Sequence, residues 1–142
     1  MHHLILVRER DAQVAASGCC GVIDGDAVRW DVGGGGHVFA ERRRAMERTG
    51  EIYRAVRDRY GAAVRISVVD PRDPFSLGAL VIGAALRHRI GLREAFRTVR
   101  RIGPTAVVVD GVLVAAAPLP STAAVLRRIA ARIDRAREPV HA

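Results

Sequence analysis

The sequence predicts an α/β domain with the element order β-α-β-α-β-β-α and a mixed four-stranded sheet flanked by helices. Three observations carry this. Leu4-Ile5-Leu6-Val7 is a short continuous apolar run and reads as a buried strand, and the β-branched segment Val64-Arg65-Ile66-Ser67-Val68-Val69 reads as a second strand. An amphipathic stretch from Val38 to Tyr60 lies between them, so the first two strands are joined by a helical crossover and should run parallel. Later, Asp110-Gly111 separates two apolar runs, and a tight turn that needs positive φ at its centre makes Asp-Gly a strong hairpin signal.

Arg8 to Asp11 ends the first strand. Val14 to Gly21 then carries Ser17-Gly18-Cys19-Cys20-Gly21, a loop or brief helical turn between glycines. A small hairpin at Asp24-Gly25 is possible on turn chemistry, and Gly33 to Gly36 are four consecutive glycines, costly to order. In the first helix Phe39, Met46, Tyr53 and Tyr60 recur every seven residues, with Ala45, Ile52 and Val56 filling the same stripe. Gly61 is a natural stop. Asp70-Pro71 ends the second strand, and Asp73-Pro74 opens a helix whose Leu77 to Leu86 is apolar almost all round and should be well buried. Gly91 breaks this element, and Leu92 to Arg101 forms a second short helix through Leu92, Ala95, Phe96 and Val99. The hairpin occupies Thr105 to Ala117. Ser121 is an N-cap, and Val125, Leu126, Ile129 and Ile133 face inward from the last helix. The predicted core joins Leu6, Ile52, Val56, Ile66, Val68, Val107, Val109, Ile129 and Ile133.

A chain of 142 residues is one domain by length, taken as residues 1–137 with a frayed tail at 138–142. At 49% hydrophobic it can bury a sizeable core, but no run reaches the roughly 18–20 apolar residues of a membrane span. Met1-His2-His3-Leu4 lacks the basic and long apolar regions of a signal peptide, so the expectation is a cytoplasmic protein without a membrane partner. The net charge of +8 comes entirely from arginine, and there is no lysine. A basic balance permits attraction to nucleic acid. The arginines are spread over every helix, however, and aromatics make up only 4%, too few to offer stacking platforms for bases. Nucleic acid is therefore not the expected partner.

Gly103-Pro104-Thr105, the strand, Asp110-Gly111, the second strand, a short loop and a terminal helix resemble the C-terminal half of a thioredoxin-like domain. The resemblance implies a thioredoxin-like fold over nearly the whole chain, with a glycine-rich insertion at about residues 21–37. It also implies that Pro104 matches the family's cis-proline and faces reactive cysteines placed after the first strand. Cys19 and Cys20 occupy that region but are adjacent, where the family's usual pair has two residues between. The arsenic-metallochaperone branch is similar in carrying a Cys-Cys pair just after its first strand, although its additional cysteine is missing here.

The leading expectation is thiol redox or disulfide handling at Cys19 and Cys20, with Cys19 as nucleophile, Pro104 opposite, and a thiol or protein as substrate. A disulfide between neighbouring cysteines distorts the peptide between them and is easily reduced. The alternative is coordination: paired thiolates suit Cu(I), As(III), Hg(II) or Zn(II). Two sulfurs leave a four-coordinate site incomplete, so His37 or the second pair of a homodimer would have to contribute. A third possibility is an interaction module with inert cysteines. The glycine run before His37 lacks the spacing and lysine of a phosphate loop. Asp24, Asp26 and Asp31 do not match a calcium loop and read as a solvated acidic segment. Ser17 has no evident base. His2, His3, His88 and His141 read as surface or capping residues.

Overall fold

The computed structural model describes residues 1–9 and 40–136, residues 40–43 by their backbone alone. Strand β1 spans His2–Arg8, helix α1 Ala40–Tyr60, β2 Val64–Val69, α2 Pro74–Arg87, α3 Leu92–Arg101, β3 Thr105–Val109, β4 Val112–Ala116 and α4 Thr122–Arg135. A short 3-10 turn, Gly61–Ala63, links α1 to β2. The protein is thus α/β, with a mixed four-stranded sheet flanked by helices. The sheet order is β2-β1-β3-β4; β1 and β2 are parallel, β3 is antiparallel to β1, and β4 to β3. The parallel first pair and the antiparallel last pair agree with the sequence expectation.

Two apolar layers sandwich the sheet. On one face Leu4, Leu6, Val107 and Val109 meet Ile52 and Val56 of α1 and Val125, Ile129 and Ile133 of α4. On the other, Ile5, Val7, Ala106 and Val108 meet Leu77, Val81 and Ala84 of α2. Strands β1 and β3 are central and have both faces covered, which is why their sequences are unbroken apolar runs.

Four expectations are corrected. Val68 is 49% exposed, because β2 is an edge strand covered over only part of its length. In α1 the buried line is Thr49, Ile52 and Val56, while Met46 of the seven-residue series is exposed; the buried Thr49 hydroxyl donates to the Ala45 carbonyl at 2.7 Å, so its burial leaves no lone donor. The apolar α2 is not buried all round: Leu77, Val81, Ala84 and Ala85 are, but Phe75 and Leu86 are exposed, since only one side of the helix meets the sheet. In α3, Ala95 and Thr98 point inward and Leu92 and Phe96 outward.

The turns account for the remaining differences. Helix α2 ends before Gly91, at His88: Ile90 N–H donates to Ala85 O at 2.8 Å and Arg89 N–H to Leu86 O at 3.2 Å. That is a Schellman closure with Arg89, φ +55°, in the position usually held by glycine. Gly91 instead begins α3. The peptide before Pro104 is not cis; the cis bond among the described residues is Ala117-Pro118. The chain leaves α3 through an extended Ile102, φ −69° and ψ 119°, so β3 is entered without the one-step reversal that a cis bond would serve. The hairpin turn is as expected, with φ of +53° at Asp110 and +85° at Gly111.

Candidate functional site

The cysteines Cys19 and Cys20, His37, the glycine run, Asp24, Asp26 and Asp31, and the tail from 137 onward lie outside the described residues. Pro104, by contrast, directly precedes β3, whose Thr105 is the register partner of Arg8. The exit of β1, from which the cysteine segment departs in sequence, and Pro104 therefore share one end of the sheet.

A cluster of polar side chains converges at the other end. Asp110 is fully buried although it opens a two-residue turn. The cause is local: it lies opposite the start of β1, where its N–H donates to the His3 carbonyl at 2.9 Å. In return its carboxylate Oδ1 accepts the His3 N–H at 2.8 Å, taking the place of a backbone acceptor in the ladder. Oδ2 lies 2.8 Å from His2 Nδ1, and Oδ1 lies 3.0 Å from His88 Nε2. The His2 and His88 rings stack, with centroids 5.5 Å apart and an interplanar angle of 15°. Three separate elements build this cluster: the first residues of β1, the Schellman end of α2, and the β3–β4 turn. Gly111 suits this position, because Ala85 of α2 fills the space that a side-chain Cβ would take there.

Behind the cluster His3 is buried, with Nε2 2.9 Å from Ser67 Oγ and Nδ1 3.3 Å from an Arg87 guanidinium nitrogen. A guanidinium can only donate, so Nδ1 accepts and Nε2 carries the proton, which it gives to Ser67. In that tautomer His3 cannot take a proton from Ser67, so the pair is not a nucleophile with its base. Burial holds the His3 pKa below the usual imidazole value, and the positive charges of Arg65 and Arg87 add to this. His88 is also lowered, by burial first, against an opposing contribution from Asp110.

His2, His3 and His88 were expected on the surface, and only the fold brings them to Asp110. The three histidines stand 22, 107 and 108 residues from Asp110, so no local spacing signals the cluster. The one sequence clue was Asp110 itself, a turn residue flanked by apolar runs that both had to be buried. Among the described residues no helix is long and apolar enough to cross a membrane. Comparison with protein-family models, curated proteins and solved structures found no match for this chain.

Proposed function

We propose that the chain is a thioredoxin-like domain acting in thiol-disulfide chemistry through Cys19 and Cys20. The observation that supports it is the sheet: order β2-β1-β3-β4, with β3 antiparallel to its neighbours, in a chain whose cysteines fall in the connection after β1. Such connections emerge at the carboxyl end of a central strand, where open α/β sheets place their chemistry. Pro104 flanks the same end through the Arg8–Thr105 pairing, but its peptide bond is not cis, so it lends the reading its position and not the family's cis-proline geometry.

In this reading the Cys19 thiolate attacks one sulfur of a substrate disulfide. A mixed disulfide forms, and the electron pair of the broken S–S bond leaves on the departing thiolate, which takes up a proton. Attack by a second thiol then releases the reduced substrate. The reading places the protein in a reducing compartment such as the cytoplasm, where thiols persist. The adjacency of the cysteines favours a second reading, the capture of Cu(I), As(III) or Zn(II). The poor geometry of a vicinal disulfide keeps both thiolates free as soft ligands, and His37 or a homodimer's second pair would complete the site.

Alkylation rate against pH, followed separately at Cys19 and Cys20 by mass spectrometry, tests both. The thiol reading expects Cys19 to react with a pKa below the ordinary ~8.5 of a free thiol. Equal, unperturbed rates at both cysteines sink it. Protection of both thiols by added Cu(I) or As(III) establishes capture in its place, and thiols that react only after unfolding mark an interaction module with inert cysteines.

A further inference from the structure

We infer that His2, His88 and Asp110 form a binding site for a divalent transition-metal ion that does not draw on the cysteines for ligands. One ligand atom from each residue can be chosen so that all lie within 4.8 Å of one another. The carboxylate oxygens already stand 2.8 Å from His2 Nδ1 and 3.0 Å from His88 Nε2. In a tetrahedral centre with bonds of ~2.0–2.1 Å, neighbouring donor atoms are roughly 3.3 Å apart. The two contacts use different oxygens of the carboxylate, so an ion held by one of them requires the imidazole nitrogens, now within 4.8 Å of the chosen oxygen and of each other, to draw in to that spacing by rotation of the half-open His2 and His88 side chains.

The surroundings suit this. Asp110 is fully buried and its Oδ1 is fixed by the His3 N–H, the kind of outer hydrogen bond that orients a ligating carboxylate. The two imidazoles are partly open, at 15% and 18% exposure, so an ion can reach them and water can complete its coordination. A neutral imidazole coordinates through a lone pair, so the proton now aimed at Asp110 moves to the ring's other nitrogen or to solvent.

The donor set decides the class of ion. With two imidazoles and a single carboxylate, a hard ion such as Mg2+ or Ca2+ finds too few oxygen donors. Two imidazole nitrogens and one oxygen instead suit Zn2+, Co2+, Ni2+ or Cu2+.

The test uses untagged full-length protein with Cys19→Ser and Cys20→Ser, so that no thiol can bind the probe. Zn2+ is titrated in competition with a chromophoric chelator, and Co2+ absorption is recorded in parallel. The expected result is one equivalent of Zn2+ and a Co2+ spectrum without thiolate charge transfer. His2→Gln and His88→Gln, which retain hydrogen-bonding groups, should each weaken Zn2+ binding by at least about 100-fold, the upper range for loss of an orienting partner. Thermal unfolding of each variant without metal separates lost binding from lost folding. Zn2+ binding that disappears with the cysteines overturns the site, as does binding unchanged in both histidine variants, or none at all.

Discussion

Replacing Gly111 by alanine tests how the hairpin is seated on α2. Two terms act against the new methyl. Gly111 has φ +85°, where an L-residue costs roughly 1–2 kcal/mol. An added Cβ would also stand 2.6 Å from Ala85 Cβ, 2.7 Å from its Cα and 2.8 Å from its nitrogen. Those are atoms at or next to the helix backbone, which no rotamer change can move aside, so the turn or α2 must shift; overpacking of this kind costs roughly 1–3 kcal/mol. The reduced freedom of the unfolded chain returns about 0.4–1 kcal/mol. The net loss is therefore about 1–5 kcal/mol, a large share of the ~5–15 kcal/mol of a typical domain. Gly78 provides the control, because it lies inside α2 with nothing within 4 Å of an added Cβ. Gly78→Ala should gain roughly 0.5–1 kcal/mol. Urea denaturation at equilibrium measures both, the midpoints being compared at constant slope. A Gly111→Ala protein within about 0.5 kcal/mol of wild type would refute the close seating of the turn on α2.

Ile129→Ala should cost roughly 2–5 kcal/mol in the same assay, since Ile129 is fully buried between α4 and the sheet; a loss below about 1 kcal/mol would mean that α4 does not pack there. Ser121 accepts the Ala124 N–H, so Ser121→Ala should lose about 1 kcal/mol through the helix cap, seen as a lower denaturation midpoint. Arg89→Gly should raise stability by about 0.5–1 kcal/mol, because relief of the positive φ outweighs the freedom glycine adds to the unfolded chain. The pH dependence has a definite sign. His3 faces Arg65 of β2, Arg87 of α2, His88 at the cap of that helix, and Asp110 of the turn, and its folded pKa is lowered, as is that of His88. The unfolded chain therefore binds more protons, and metal-free protein should lose stability as the pH falls through about 6.5. His3→Gln should flatten that fall between about pH 7.5 and pH 5.5, and an unchanged profile would contradict the burial of a neutral His3.

What the sequence determined by itself is what local chemistry controls. Apolar runs too short to be helices marked β1 and β2; the limits of α3, 92–101, followed from helical spacing; Asp110-Gly111 and Ser121 declared a turn and a cap, because positive φ and N-cap hydrogen bonds are demands on one or two residues. Periodicity, however, says that a residue is apolar and not what will cover it. Val68, Met46 and Phe96 keep the spacing of inward positions, yet are exposed, because β2 lies at the sheet edge and each helix turns only one side to the sheet. The end of α2 was misplaced for a related reason: hydrogen bonds to Ala85 and Leu86 hold Arg89 where glycine was expected. The histidine cluster belongs wholly to tertiary structure. His2, His88 and Asp110 meet because β1 pairs with β3 in one register and Gly111 lets the turn rest on α2. No segment of the chain holds more than one of the three, so the site exists only once the sheet and helix have packed.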